Sequence, residues 1–154
     1  MNVRNFFRNI CIGLVDGLTI PLALAAGLSG LANKNSPVII ACFAAAVAGA
    51  FTMTIGGYFE SKKYSSGVKP SVAGLTIGTG YLVGGIITTV PYYFVASPLI
   101  ALQYSVIATL TVLFVAGYWE SKLNGGTGWA NAARVCVTGA AAAGVAFYIA
   151  KLFV

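Results

Sequence analysis

Five long apolar stretches constrain this chain more than anything else in it. They run from about Asn9 to Leu31, Pro37 to Glu60, Pro70 to Val90, Pro98 to Glu120 and Trp129 to Phe153. About 20 mostly apolar residues at a rise of about 1.5 Å each span the hydrocarbon layer of a bilayer. In that layer a helix satisfies its own backbone hydrogen bonds. The pattern therefore predicts an all-α, polytopic membrane protein with five transmembrane helices in a single domain, residues 1–154. Composition points the same way: 8% of residues are charged, against about 25% in an ordinary soluble domain. Pro37, Pro70 and Pro98 fall in predicted first turns, where a missing N–H costs nothing. The connectors, such as Asn33-Lys34-Asn35-Ser36 and Asn124-Gly125-Gly126-Thr127-Gly128, carry turn chemistry. No linker or second domain is expected. The first run is too long for a signal-peptide core and contains an acid, so no cleavable leader is expected.

The formal charge of +6 is a topological excess and does not call for a nucleic-acid partner. Arg4, Arg8, Lys62, Lys63, Lys69, Lys122 and Arg134 fall on one side of the predicted topology, and Lys34 and Lys151 on the other. Lys and Arg in short loops favour the cytosol, so the N-terminus is expected there. The chain has no histidine, which excludes histidine-based catalysis and histidine metal sites. Cys11, Cys42 and Cys136 lie in apolar runs without a C-x-x-C pair and read as small buried hydrophobes.

Short repeats are visible. Gly57-Tyr-Phe-Glu-Ser-Lys62 and Gly117-Tyr-Trp-Glu-Ser-Lys122 end the second and fourth runs, 60 residues apart, and "GLTI" occurs at Gly17 and again 57 residues on at Gly74. The first two helices are thus expected to be related to the next two, as in transporters built from parallel repeats; aromatic and charged interface caps would leave the same trace. Gly74-x-x-x-Gly78 and Gly80-x-x-x-Gly84 have the spacing of close helix packing.

The three carboxylates are Asp16, Glu60 and Glu120. The glutamates stand at helix ends. Asp16 lies about 10 Å into the first helix, where an ionisable group costs several kcal/mol unless it is paired or lines a wet path. Pro21 has no N–H, so the Gly17 carbonyl loses its helical donor beside that acid; Thr19 adds a hydroxyl, and Gly13 and Gly17 admit a second backbone. Such an oxygen cluster suits a cation or a proton, or bonds a neighbouring helix as structural glue. On the second helix Ala46, Gly49, Met53, Gly56 and Glu60 share a face at helical spacing. Met53, at the depth of Asp16, offers a thioether to a transition metal or simply fills space. Glu60 attracts cations at the mouth or pairs with Lys63. No nucleophile–base pair is present, so an enzyme is not expected.

Two stretches, "GLVDGLTIPLALAAGLSG" from Gly13 to Gly30 and "AGAFTMTIGGYFESK" from Ala48 to Lys62, resemble the vacuolar iron transporter family. The resemblance implies a homodimer with the ion path between two copies, lined by the first two helices. It also implies exchange of cytosolic ferrous iron, or another divalent metal such as manganese, for protons. Carried over by position, Asp16 and Met53 are path residues. Two departures stand out. Ala45 occupies a position where that family often has a glutamate. Only about ten residues, Lys62 to Ser71, join the second and third helices, where the family inserts an acidic metal-binding segment.

The expected function is proton-coupled transport of a divalent metal out of the cytosol. Candidate metal-contacting residues are Asp16, Gly17, Met53 and Glu60; the metal is cargo, and no resident cofactor is expected. The expected partners are divalent metal ions, protons, the bilayer and a second copy met along the Ala46–Gly49–Gly56 stripe. The host would be the cell membrane of a prokaryote, or a vacuolar or other organelle membrane of a eukaryote. The alternatives are a non-transporting membrane subunit or scaffold with the same fold, and a proton pathway without metal.

Overall fold

The computed structural model describes residues 3–64, 69–123 and 125–152. The helices are α1 (Val3–Ser29), α2 (Asn35–Tyr64), α3 (Pro70–Thr89), the single turn α4 (Pro91–Phe94), α5 (Pro98–Leu123) and α6 (Gly128–Leu152). Among the described residues, five helices are long and apolar enough to cross a membrane, so the chain is a multi-pass membrane protein. Several helices extend beyond the apolar runs. α1 begins six residues before Asn9, and α2 runs four past Glu60. Arg4, Arg8, Lys62 and Lys63 carry these extra turns into water, and a hydropathy criterion sees only the part in hydrocarbon. The outer surface is apolar in the manner of a lipid-facing one, with Phe51, Ile107, Val137 and Tyr148 exposed.

α3 is sandwiched between α1 and α2, and its glycines explain how. Gly74 and Gly78 meet Thr54, Tyr58 and Ala50 of α2, whereas Gly80 and Gly84 meet Ile10, Leu14, Gly17 and Leu18 of α1. The two G-x-x-x-G pairs are six residues out of step, which turns them to opposite sides of the helix. The contact with α1 is reciprocal. Gly13 rests on Ile77 and Tyr81, while Gly80 rests on Ile10 and Leu14. A methyl group at Gly84 would lie 2.7 Å from the Gly17 carbonyl carbon, so this face is backbone against backbone.

That contact runs in a different offset from the "GLTI" match. Gly80 follows Gly13 by 67 residues, as Ile77 follows Ile10 and Tyr81 follows Leu14. The two copies of GLTI do different work: Gly17 faces α3, and Gly74 faces α2. Glycines that decide close approach, rather than the longest identical string, set the relation between α1 and α3. The 60-residue match does fall at equivalent places, the ends of α2 and α5.

α5 and α6 pack on the other side of α1. Buried hydroxyls join α1, α3 and α5: Ser105 donates to the Thr88 carbonyl at 2.7 Å, and the Thr88 hydroxyl lies 3.3 Å from Thr109 and 3.4 Å from the Leu18 carbonyl. At one end of the bundle the Tyr92 hydroxyl meets Ser29 at 2.8 Å, and the Asn35 amide donates to the carbonyls of Tyr92, at 2.9 Å, and Val95. These bonds tie α4 to the end of α1 and the start of α2, over a core of Ala25, Val38, Cys42, Tyr92 and Ala101. The opposite end gathers all seven cations that the sequence places on one side. The cysteines are free; the Cys42 and Cys136 thiols donate to the carbonyls of Pro21, at 3.6 Å, and Leu110, at 3.4 Å.

Candidate ion site at the junction of α1, α2 and α3

α1 is covered on most sides, but Ile12 and Ile20 remain 38% and 51% exposed. They stand one turn to either side of Asp16, which is itself half-buried. The carboxylate thus lies between two exposed positions on an outward stripe of α1. From Arg8, at the basic end, it is about 12 Å along α1, and Met53 is about 10 Å from Glu60 along α2, so acid and thioether share a depth. Met53 is half-buried.

The fold gives two of the expected oxygen donors particular neighbours. Helix α1 runs on through Pro21, and Gly17 is buried against the backbone of Tyr81 and Gly84. Its carbonyl therefore belongs to the α1–α3 contact region. Thr19 donates its hydroxyl to its own Val15 carbonyl at 2.8 Å and lies beside Gly139 of α6, away from α2. An i to i−4 bond of this kind is the usual resting place of a helical threonine.

Tyr81 is the residue that sequence reasoning missed. Its side chain is 2% exposed. Its backbone lies under Gly17, the neighbour of Asp16, and its ring and hydroxyl lie over Gly49 of α2. Gly49, one turn before Met53, is small because that ring occupies the space of a side chain. The signal was available, since a lone tyrosine stands inside the Gly80–Gly84 pair of an apolar helix, but only the packing shows which neighbour it meets.

Glu60 is exposed and lines a cavity of about 190 Å³ with Arg8, Asn9, Ile12, Gly57, Ser61, Ala73 and Ile77. The cavity opens at the basic end between α1, α2 and α3 and reaches Ile12, one turn short of Asp16. Among the described residues no three acidic or thiol side chains cluster to hold a metal.

The stripe expected to meet a second copy is divided by the fold. Ala46 is buried against Gly85, and Gly49 is covered by Tyr81, whereas Gly56 has nothing near it. The small residues at the first two positions admit α3 of the same chain.

Comparison with known proteins decides the family. The profile of the VIT family matches residues 7–68 and 61–151. The chain belongs to the VIT family. Among its relatives, Protein CCC1 of Saccharomyces cerevisiae is 29% identical over an alignment covering 94% of this chain and 68% of the relative. Vacuolar iron transporter 2 of Oryza sativa is 28% identical, covering 94% and 86%, and vacuolar iron transporter 1 of Arabidopsis thaliana 27%, covering 94% and 85%. These alignments run to 219, 211 and 212 positions, well beyond the 154 residues of this chain. The relatives therefore carry additional residues inside the matched region. The two segments matched by the VIT profile overlap at 61–68, which puts the difference at the short α2–α3 connection.

Proposed function

We propose that this VIT-family chain is a proton-coupled transporter that moves a divalent metal, ferrous iron first and manganese second, out of the cytosol as a homodimer. The observation that carries the reading is the position of Asp16, an acid on the outward stripe of α1 between exposed Ile12 and Ile20. A carboxylate cannot face hydrocarbon without a large cost. A second copy laid on this stripe covers it and brings a second Asp16 to the same depth. Two like charges in low dielectric do not both stay ionised without a cation, so metal and proton compete for one place, and competition of that kind is the basis of exchange. Met53 supplies a thioether that favours a transition metal over magnesium or calcium. Tyr81, whose backbone lies against Gly17, supplies a hydroxyl over Gly49 on the α2 side. Glu60 draws cations into the cavity at the basic end, which we place in the cytosol on the seven-to-two bias of Lys and Arg. The relatives named as vacuolar iron transporters support iron as cargo and an organelle membrane as its setting in a eukaryotic host.

A second reading is favoured by the shortened α2–α3 connection and by Ala45: a membrane subunit or scaffold that keeps the fold without transporting. Purified protein in liposomes with a pH-sensitive dye inside separates the readings. Metal entry with counter-moving protons, absent in Asp16→Asn, supports exchange. Protons moving without metal select a proton pathway, and no flux of either kind selects the scaffold.

A further inference from the structure

Beside the ion site, the basic end holds a second cavity of about 440 Å³, between the start of α1 and the end of α5, lined by Arg4, Asn5, Arg8, Lys122, Leu123 and Gly125. Three of its six lining residues are cations, and no carboxylate lines it. The chain has three acids, and each is engaged elsewhere. Asp16 lies within the span, Glu60 lines the cavity between α1, α2 and α3, and Glu120 lines a cavity of about 330 Å³ with Asn131 and Arg134. Like charges gathered around one concavity repel. The first turn of α1 adds to the same sign, since Arg4 and Asn5 belong to it and its early N–H groups lack helical acceptors. Gly125, at φ +76°, reverses the chain after α5 in a conformation that suits glycine, and its N–H bonds back to the Lys122 carbonyl at 3.2 Å. This turn leaves Lys122 at the rim, where its ammonium lies 5.8 Å from the Tyr118 ring centre.

We propose that this cavity is a binding site for a phosphate-bearing anion, with Arg4, Arg8 and Lys122 as its charged contacts. Basic pockets between transmembrane helices at the cytosolic side suit anionic headgroups, and guanidinium groups suit phosphate oxygens in particular. The site stands apart from Asp16 and Met53, and it does not depend on metal being transported.

The test uses the full chain in an uncharged detergent and follows its melting temperature. The probes are dioctanoyl phosphatidylglycerol, dioctanoyl phosphatidylcholine and inorganic phosphate at equal concentration. A ligand that binds only the folded protein raises the midpoint, here by about 2–4 °C or more. A rise with phosphatidylglycerol alone, shrinking as sodium chloride is added, identifies a lipid headgroup. A rise with inorganic phosphate identifies a soluble anion. In either case the rise should be lost in Arg4→Gln/Lys122→Gln, reduced in Lys122→Gln, and kept in Lys151→Gln at the opposite end. A rise that survives the double substitution, or no rise with any probe, overturns the proposal.

Discussion

At the scale of single residues, Asp16 and Tyr81 form one question. The aspartate is costly in a membrane span, and the tyrosine is nearly enclosed, with its ring on Gly49 and its backbone under Gly17. Asp16→Asn keeps shape and an acceptor oxygen but can neither carry the charge nor release a proton in the working range. Removing a charge from such a place seldom harms packing. The variant should therefore melt within a few degrees of the parent and show no metal-driven proton movement in liposomes; a destabilised variant that still exchanges would return Asp16 to structural glue. Met53→Leu, which roughly conserves volume, should keep flux but change the ranking of soft against hard metals. Tyr81→Phe keeps the ring over Gly49 and deletes only the hydroxyl. If that hydroxyl helps hold a cation at Asp16, half-saturation for metal should rise by up to about tenfold, the equivalent of roughly one hydrogen bond, with the melting temperature nearly unchanged. Equal half-saturation in both proteins would leave Tyr81 a packing residue.

At the scale of elements, α3 organises the bundle because it offers glycine on two sides. The glycines of the bundle are accordingly unequal. A methyl group at Gly84 meets the backbone of Gly17 and Leu18 at 2.7 Å, whereas one at Gly56 meets nothing within 4 Å. Gly84→Ala should therefore cost about 1–3 kcal/mol through forced separation of α1 and α3. Gly56→Ala should be neutral or stabilise the single chain by up to about 1 kcal/mol, as alanine is the better helix former. Thermal melts of the two variants side by side test this ordering, and equal losses would contradict the packing of α3 described above.

For the whole molecule, the decisive matter is what covers the outward stripe of α1. With the three native cysteines replaced by alanine, single cysteines at Ile20 and Gly56 should cross-link two copies in membranes, while one at Val145, exposed on α6, should not. Pairs formed only at Val145 would place the second copy elsewhere and separate the two Asp16 residues. Glu60 is tested at the same scale, because its proposed action is through the field at the cavity mouth. Glu60→Gln should weaken apparent metal affinity at low salt, and the difference should shrink as ionic strength rises. A metal dependence equal to that of the parent at every salt concentration would leave Glu60 an ordinary surface charge.

The sequence alone determined what depends on local chemistry and on the solvent. Hydrophobic run length specified five spanning helices, because only about 20 apolar residues fit the bilayer. The Lys and Arg distribution indicated which ends lie together, and the packing gathers those seven cations at one end. Asp16 announced itself because a buried acid has few bland explanations. The tertiary structure decided what depends on which surfaces meet. It turned Gly17 towards α3 and Thr19 towards α6, took Ala46 and Gly49 into contacts with α3, and set α1 against α3 at an offset that differs from the GLTI spacing. It also brought Tyr81 against Gly17, the neighbour of Asp16, across 64 residues of chain. In an alphabet this apolar, helical periodicity shows which residues share a face but not what that face will touch, since lipid and a neighbouring helix present the same hydrocarbon. Only close approach at particular glycines distinguishes them, and that is a property of the assembled bundle.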